Sequence, residues 1–353
     1  MKLKNKLSGF LLKEWLLTVS GAAFALTSIY TGRCPEFSVQ ELEVIFFLFT
    51  LFITIKGLEN SGLLTKISQN LEKGKAIPLK LVLITFFLSM AVTNDVALII
   101  TIPLTLSLKT EHMDILVILE ALAANAGSAL TPFGNPQNLF IYWFYNIHPL
   151  DFIYAIAPFS ICFLIILGLC SFAVRITKTS RPDIQVKNSA YVYIACLIVV
   201  IMAVLRLLPL WAAAAAAGLV ALADPENMKT DYALLATFFF FFGVADNIEL
   251  ICADELHLTG NIFLASAAVS QVISNVPAAL LFARVTDNWQ ALLWGTNTGG
   301  FGSLVGSVAN LIAYRLYINH DSTDNCAGFT IKFLAMGCAA FFTGTGLYYF
   351  IMN

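Results

Sequence analysis

Two apolar runs of about thirty residues, 79–108 and 259–286, constrain this chain most, because polar residues interrupt each of them near its middle. The first reads AVTNDVALIITIPLT around Thr93-Asn94-Asp95, and the second reads QVISNVPAALLF around Ser274-Asn275. As one straight helix, either run would reach roughly 45 Å, well past a hydrocarbon core of about 30 Å. Split at the polar residues, each arm reaches only roughly 15–20 Å, enough to enter a bilayer and turn back. The spacing predicts two re-entrant helical hairpins; the alternative is a long tilted helix with a polar kink. Composition supplies the bilayer: of 353 residues, 59% are hydrophobic and 12% charged. A water-soluble fold cannot bury that much apolar surface, so the expected class is an all-α polytopic membrane protein.

Full crossings are expected near 8–30, 41–57, 113–145, 150–176, 190–207, 209–223, 231–250, 289–317 and 328–352. Lys2, Lys4, Lys6 and Lys13 lead the chain, without a small-residue cleavage site after a short apolar core, which predicts a retained first helix. Further cations gather at Lys66, Lys73, Lys75 and Lys80, and at Arg175, Lys178, Arg181 and Lys187 around a polar linker, 177–189. The opposite loops are poor in positive charge: 31–43 sets Arg33 against Glu36, Glu41 and Glu43, and 251–259 carries Asp254 and Glu255. The positive-inside rule then puts the N-terminus in the cytoplasm and the C-terminus outside, in a multi-pass protein of the cell membrane. A net charge of −2 gives no indication of a nucleic-acid partner. The seven cysteines contain no C-x-x-C pair and read as small hydrophobes.

The polar residues repeat in order. Glu59-Asn60 is followed by Asp246-Asn247, and Asn94 by Asn275. NAGSALTPFGNPQN (125–138) matches NTGGFGSLVGSVAN (297–310), pairing Asn125 with Asn297, Gly127 with Gly299, Gly134 with Gly306 and Asn138 with Asn310. Four parts follow: an N-terminal helix (1–40), a first repeat (41–176), a linker with connecting helices (177–230) and a second repeat (231–353). Each repeat holds a hairpin (79–108; 259–286) and a broken transmembrane helix (113–145; 289–317). The first repeat starts outside and the second inside, so the two are inverted, as in secondary transporters that build a site near the midplane. Unwound backbone at membrane depth is tolerated only where it is buried or lines a cavity. Its carbonyls and amide side chains suit Na⁺, and neighbouring helix N-termini suit an anion.

TNDVALIITIPL, SNVPAALLF and GTNTGGFGSLVGSVANLIAYRLY give the chain a resemblance, over roughly residues 40 to 350, to the ion transporter superfamily. That group includes divalent-anion/sodium symporters, arsenite efflux permeases and D-type sodium/proton antiporters; the last two branches are the more similar. The resemblance implies a substrate and cation site built from Thr93, Asn94 and Asp95; Ser274 and Asn275; Thr131, Gly134, Asn135 and Asn138; and Ser303, Gly306, Ser307 and Asn310. Asn125 and Asn297 join them as repeat-matched positions. This chain has Thr-Asn-Asp where the symporters have Ser-Asn-Thr, and its second unwound segment lacks proline. Both departures weigh against a dicarboxylate substrate.

A carboxylate at membrane depth marks an ion or proton pathway by default, which makes Asp95 a site residue, although a hairpin turn could also use it as a cap. Glu120, two helical turns before Gly127, is either a proton-coupling group or a structural partner for another helix. Asp246 is a third proton-coupling candidate, although it and Glu59 are read as helix-end residues. Arg206 is expected to snorkel to the outer interface and Arg315 to anchor a cytoplasmic helix end. The four histidines fall in loops, and the alanine run 212–217 suggests close helix packing. Metalloprotease, P-loop and nucleophile-elbow signatures are absent from the sequence, so an enzyme is not expected. The expectation is a secondary active transporter of a small inorganic or carboxylate anion, coupled to Na⁺ or H⁺, with no cofactor beyond a bound Na⁺. Sodium/proton antiport, a channel and a non-transporting scaffold subunit are the alternatives, and a homodimer is left open.

Overall fold

A computed structural model describes residues 15–71, 76–108, 112–174, 186–256, 261–320 and 326–352. Lys2, Lys4, Lys6, Lys13, Lys73, Lys75, Arg175, Lys178, Arg181, His257 and the first residues of both the 8–30 crossing and the second apolar run lie outside them. Among the described residues the regular structure is entirely helical. The helices are α1 (Trp15–Thr31), α2 (Val39–Asn60), α3 (Leu63–Leu71), α4 (Ile77–Val92), α5 (Asn94–Leu106), α6 (Met113–Ser128), α7 (Pro136–Phe144) and α8 (Pro149–Ser171). They continue with α9 (Ala190–Val204), α10 (Leu210–Ala223), a 3₁₀ turn (Pro225–Met228), α11 (Tyr232–Leu256), α12 (Ile262–Ile273), α13 (Asn275–Ala283), α14 (Trp289–Gly299), α15 (Val308–Ile318) and α16 (Cys326–Met352).

Both apolar runs divide at the polar residues. A single residue, Thr93 or Ser274, separates α4 from α5 and α12 from α13, and the two arms of each run pack against one another. The two broken helices also appear: α6 and α7 flank 129–135, and α14 and α15 flank 300–307. Local chemistry explains the restarts. Asn135 caps α7 by accepting the Asn138 N–H at 2.9 Å, with Pro136 at the first helical position, where its missing N–H costs nothing. Ser307 caps α15 by accepting the Ala309 N–H at 3.3 Å.

Packing is matched between the halves. α4 lies along α6 as α12 lies along α14, and each second arm crosses to the other half, α5 against α15 and α13 against α7. These eight short helices form the centre. Around them α1 packs on α11, α2 on α9 and α10, and α8 on α4 and α6. Ala212, Ala213, Ala216 and Ala217 are buried, as close packing of the alanine run requires.

Among the described residues, three helices are long and apolar enough to cross a membrane: Pro149–Ser171, Pro225–Ile248 and Cys326–Met352. Nine were expected. The difference has a physical cause, since the broken crossings fall into arms of 9 to 16 residues. α2, at 22 residues, is long enough but carries Glu41, Glu43, Lys56 and Glu59. Asp246 is a correction: it lies inside α11, not at a helix end. The Arg206 guanidinium donates to the carbonyls of Ile147 (3.0 Å) and Tyr142 (3.3 Å) and covers the rings of Tyr142 and Trp143. It therefore serves the C-terminal end of α7, where a cation complements the orphan carbonyls and the helix dipole.

Candidate functional site

The two breaks share one unusual backbone. Thr93 has φ 82° and ψ 152°, and Ser274 has φ 78° and ψ 157°. That region is essentially reserved for glycine and costs on the order of 1–3 kcal/mol for other residues, so packing must hold both in place. The N–H following each break does so. Asn94 N–H donates to Gly134 O (3.1 Å), and Asn275 N–H donates to Gly306 O (2.9 Å). Each arm start is thus fastened to the unwound segment of its own half.

Asparagines fasten the segments in turn. Asn138 Nδ2 donates to Ala129 O (2.9 Å), Thr131 O (3.3 Å) and Ser128 O (3.4 Å). Asn310 Nδ2 donates to Gly300 O (2.9 Å) and Ser303 O (3.0 Å). The halves are then laced together. Asn125 Nδ2 donates to Asn310 Oδ1 and Asn297 Nδ2 to Asn138 Oδ1, both at 2.8 Å. Asn94 Nδ2 donates to Asn125 Oδ1 (3.1 Å), and Asn135 Nδ2 to Asn297 Oδ1 (3.3 Å). All of these asparagines are at most 5% exposed. Thr131 donates to Met90 O (2.9 Å) and Ser303 to Gln271 O (2.9 Å), which ties each unwound segment back to the first arm of its hairpin. Gly127 and Gly299 admit those arms, because a Cβ at Gly127 would strike the Phe86 carbonyl and one at Gly299 the Ser270 side chain. The carbonyls of Ala129, Thr131, Gly134, Gly300, Ser303 and Gly306 thus already accept protein hydrogen bonds.

In front of this lattice lies a narrow cleft with about 390 Å³ of non-atom space, part of it open. The starts of four helices border it: Asn94 and Asp95 (α5), Pro136 and Gln137 (α7), Asn275 and Val276 (α13), and Ser307 and Val308 (α15). Thr237, Phe238 and Phe241 of α11 form the remaining wall. Asp95 is the only ionisable side chain among the lining residues, and its Oδ1 is buried with no hydrogen-bond partner. The N–H groups of Asn94, Asp95, Asn138, Asn275 and Ala309 are bonded within the protein, so what these starts chiefly bring to the cleft is the positive end of each macrodipole. A wider cleft, about 930 Å³ and bordered by Lys56, Glu59, Thr93, Asp95, Lys229 and Asp231, adjoins the first at Asp95 and forms a vestibule.

Of the expected site residues, Asn94, Asp95, Ser274, Asn275 and Ser307 line the cleft and Thr93 the vestibule. Asn125, Asn135, Asn138, Asn297 and Asn310 form the lattice behind it, and Thr131, Gly134, Ser303 and Gly306 shape the unwound turns. Glu120 is apart from the lining residues, fully buried, with Thr105 Oγ1 donating to its Oε1 at 2.8 Å. Asp246 is apart as well, paired with Arg33 and Arg284. Gln137, Thr237 and Phe238 were not anticipated. Thr237 and Phe238 stand in the run LLATFFFFFG, whose uniform apolarity carries no sign of which side faces a cleft.

A multi-pass helical membrane protein whose broken helices converge on one cleft is built as a membrane transporter is. The model of the citrate transporter family, CitMHS, matches residues 10–295, and the chain belongs to that family. It is 37% identical over 298 residues to an uncharacterized transporter, MJ0456, of Methanocaldococcus jannaschii, covering 79% of this chain and 82% of that protein. It is also 34% identical over 294 residues to the inner membrane protein YbiR of Escherichia coli, covering 75% and 77%.

Proposed function

We propose that this transporter is a secondary active carrier of a small anion, coupled to Na⁺ or H⁺ through Asp95. One observation carries the reading: four helix starts meet at a cleft whose sole ionisable lining residue is a carboxylate with a buried, unpartnered oxygen. Each helix start contributes roughly half a positive charge, so four offset an ionised Asp95 with about one charge to spare. Neutralising Asp95 with a proton or Na⁺ roughly doubles that surplus, and the anion then binds better. Cation and anion therefore favour each other's binding, which is the requirement for symport. The family's description suggests a carboxylate substrate. With no lysine or arginine among the cleft-lining residues, helix starts and the amides of Asn94, Gln137 and Asn275 would hold its oxygens.

The matched hydrogen bonds of the halves support two inverted repeats, 41–176 and 231–353, each with a re-entrant hairpin. The distribution of lysine and arginine supports a cytoplasmic N-terminus and an external C-terminus. Sodium/proton antiport is the second reading, favoured by Asp95 being a cation site in its own right. The intact polar cleft speaks against a non-transporting scaffold subunit, since buried polar groups without a use are costly.

Purified protein in liposomes, given labelled citrate, succinate, phosphate, sulfate or arsenite under an imposed Na⁺ or pH gradient, tests the proposal. Accumulation of one anion above equilibrium under one gradient is expected. Downhill flux alone would indicate a channel, and Na⁺-driven proton movement without anion uptake would indicate the antiporter.

A further inference from the structure

α11 runs as a ladder from the vestibule past the cleft to a cluster of charges. Asp231 and Leu234 border the vestibule, Leu234 to Phe241 line the cleft, and Asp246 lies beyond it in a cluster of charges. Asp231 and Asp246 are about 22 Å apart along a helix axis. α2 repeats the order: Phe52, Ile55, Lys56 and Glu59 border the vestibule, while Glu41, about 16 to 27 Å from them along the axis, belongs to the cluster. α13 begins at the cleft with Asn275 and ends at its C-cap, Arg284, in the same cluster.

In that cluster Arg284 Nη2 donates to Glu41 Oε1, and Arg284 Nη1 lies 3.6 Å from Asp246 Oδ1. Arg33 Nη2 donates to Asp246 Oδ2 at 2.6 Å, and the Glu36 N–H donates to the same oxygen at 3.1 Å. The Glu41 side chain is 1% exposed, that of Asp246 10% and that of Arg284 15%. Four charges, two of each sign, are thus gathered on the face away from the vestibule.

We propose that the Glu41–Arg284–Asp246–Arg33 cluster is an ionic seal closing that face. Arg284 is the positioning residue that holds α12 and α13, and with them the Ser274–Asn275 break, against α2 and α11. The inference rests on the transport reading, because a carrier must open its site to each face in turn. The neighbours decide which member moves. Glu41 is bound to its own helix start, its Oε2 accepting the Ser38 N–H at 2.8 Å, and Asp246 keeps Arg33. Arg284 is held to both carboxylates across helix boundaries, so it leaves with α13. Tyr145, at the C-terminal end of α7, goes with it, donating to Ala283 O (3.0 Å) and Thr286 O (2.6 Å). Separating buried partners is tolerable only if water reaches both, which opening of that face provides.

The test is face-resolved labelling. Phe241→Cys, in the cleft wall, is placed in a background lacking the seven native cysteines and exposed to an impermeant thiol reagent in right-side-out and inside-out vesicles. With the seal intact, labelling from the vestibule face is expected to be faster by at least about tenfold, and Glu41→Gln or Arg284→Gln should raise the rate from the sealed face by a similar factor, as the loss of one charge-assisted pair predicts. If those proteins do not fold, Arg33→Gln and Asp246→Asn, at the cluster's edge, are read in the same way. Folded variants that label like the parent from both faces overturn the seal. Absence of gradient-driven uptake in the parent would instead overturn the transport reading, so the two failures are distinguishable.

Discussion

The two unwound segments, 129–135 and 300–307, do the same work with different materials. The first contains Pro132 and runs into Pro136, and proline's fixed φ adds stiffness to the bonds made by Asn138 and Thr131. The second has no proline and includes Gly302 at φ 80°. It is stapled from outside by Gln271. That side chain accepts the Ser303 N–H at 2.8 Å and donates to Gly299 O at 2.8 Å, and its own carbonyl accepts Ser303 Oγ. Met90 holds the matching place in the first half and offers only its backbone carbonyl, to Thr131. The difference teaches that hydrogen-bond geometry, not residue identity, is what the halves share. The charge is not shared: Asp95 and Glu120 in the first half have no acidic counterpart in the second, where Val276 follows Asn275 as Asp95 follows Asn94.

The largest effects should come from the lattice both segments share. Asn138→Ala or Asn310→Ala orphans at least two carbonyls and the partner asparagine, at about 1–3 kcal/mol for each buried group left unpaired. Each variant should lower the thermal midpoint in detergent by about 5 °C or more and reduce transport at least about a hundredfold. A clear inequality between them would break the equivalence of the halves. Next come the helix starts at the cleft: Asn94→Ala or Asn275→Ala should raise the cation concentration for half-maximal uptake at least about tenfold, while Asn319→Ala, past the end of α15, should not. Wild-type cation dependence in two well-folded variants would reduce both breaks to turns.

A smaller effect sharpens the contrast in materials. Gln271→Leu should cost about 2–3 kcal/mol, the value of three lost hydrogen bonds, to Ala267 O, Gly299 O and Ser303 N–H, whereas Met90→Leu should change stability by under about 1 kcal/mol. Smallest of all, Pro132→Ala should destabilise by about 0.4–1 kcal/mol, through the freer unfolded chain. Denaturant or thermal unfolding of the four proteins side by side checks the order.

Much of this arrangement was legible in the sequence because polar and Gly/Pro residues in apolar runs have few uses. They marked the breaks at 93 and 274 and the unwound stretches to within about three residues, and the spacing of Asn125, Asn138, Asn297 and Asn310 suggested the match. Less could be read where meaning depends on tertiary partners. Asp246 looked like a helix-end carboxylate because Arg33 and Arg284 are distant in the chain, and nothing local to Arg206 pointed to the end of α7. The glycine-like backbone at Thr93 and Ser274 could not be foreseen, since a β-branched residue is a poor marker for it. Gln271 was hidden for a related reason: one amide in an apolar helix does not announce which carbonyls it meets.

The central claim is that Asp95 carries the coupling while the helix starts carry the anion. Asp95→Asn separates the two roles. The measurement is uptake of the transported anion into liposomes, once under an imposed Na⁺ or pH gradient and once as counterflow against unlabelled anion without a gradient. The account predicts that the variant keeps counterflow within about tenfold of wild type, since the asparagine leaves all four helix starts in place, and loses gradient-driven accumulation. Accumulation at the wild-type level by a folded Asp95→Asn protein would contradict it.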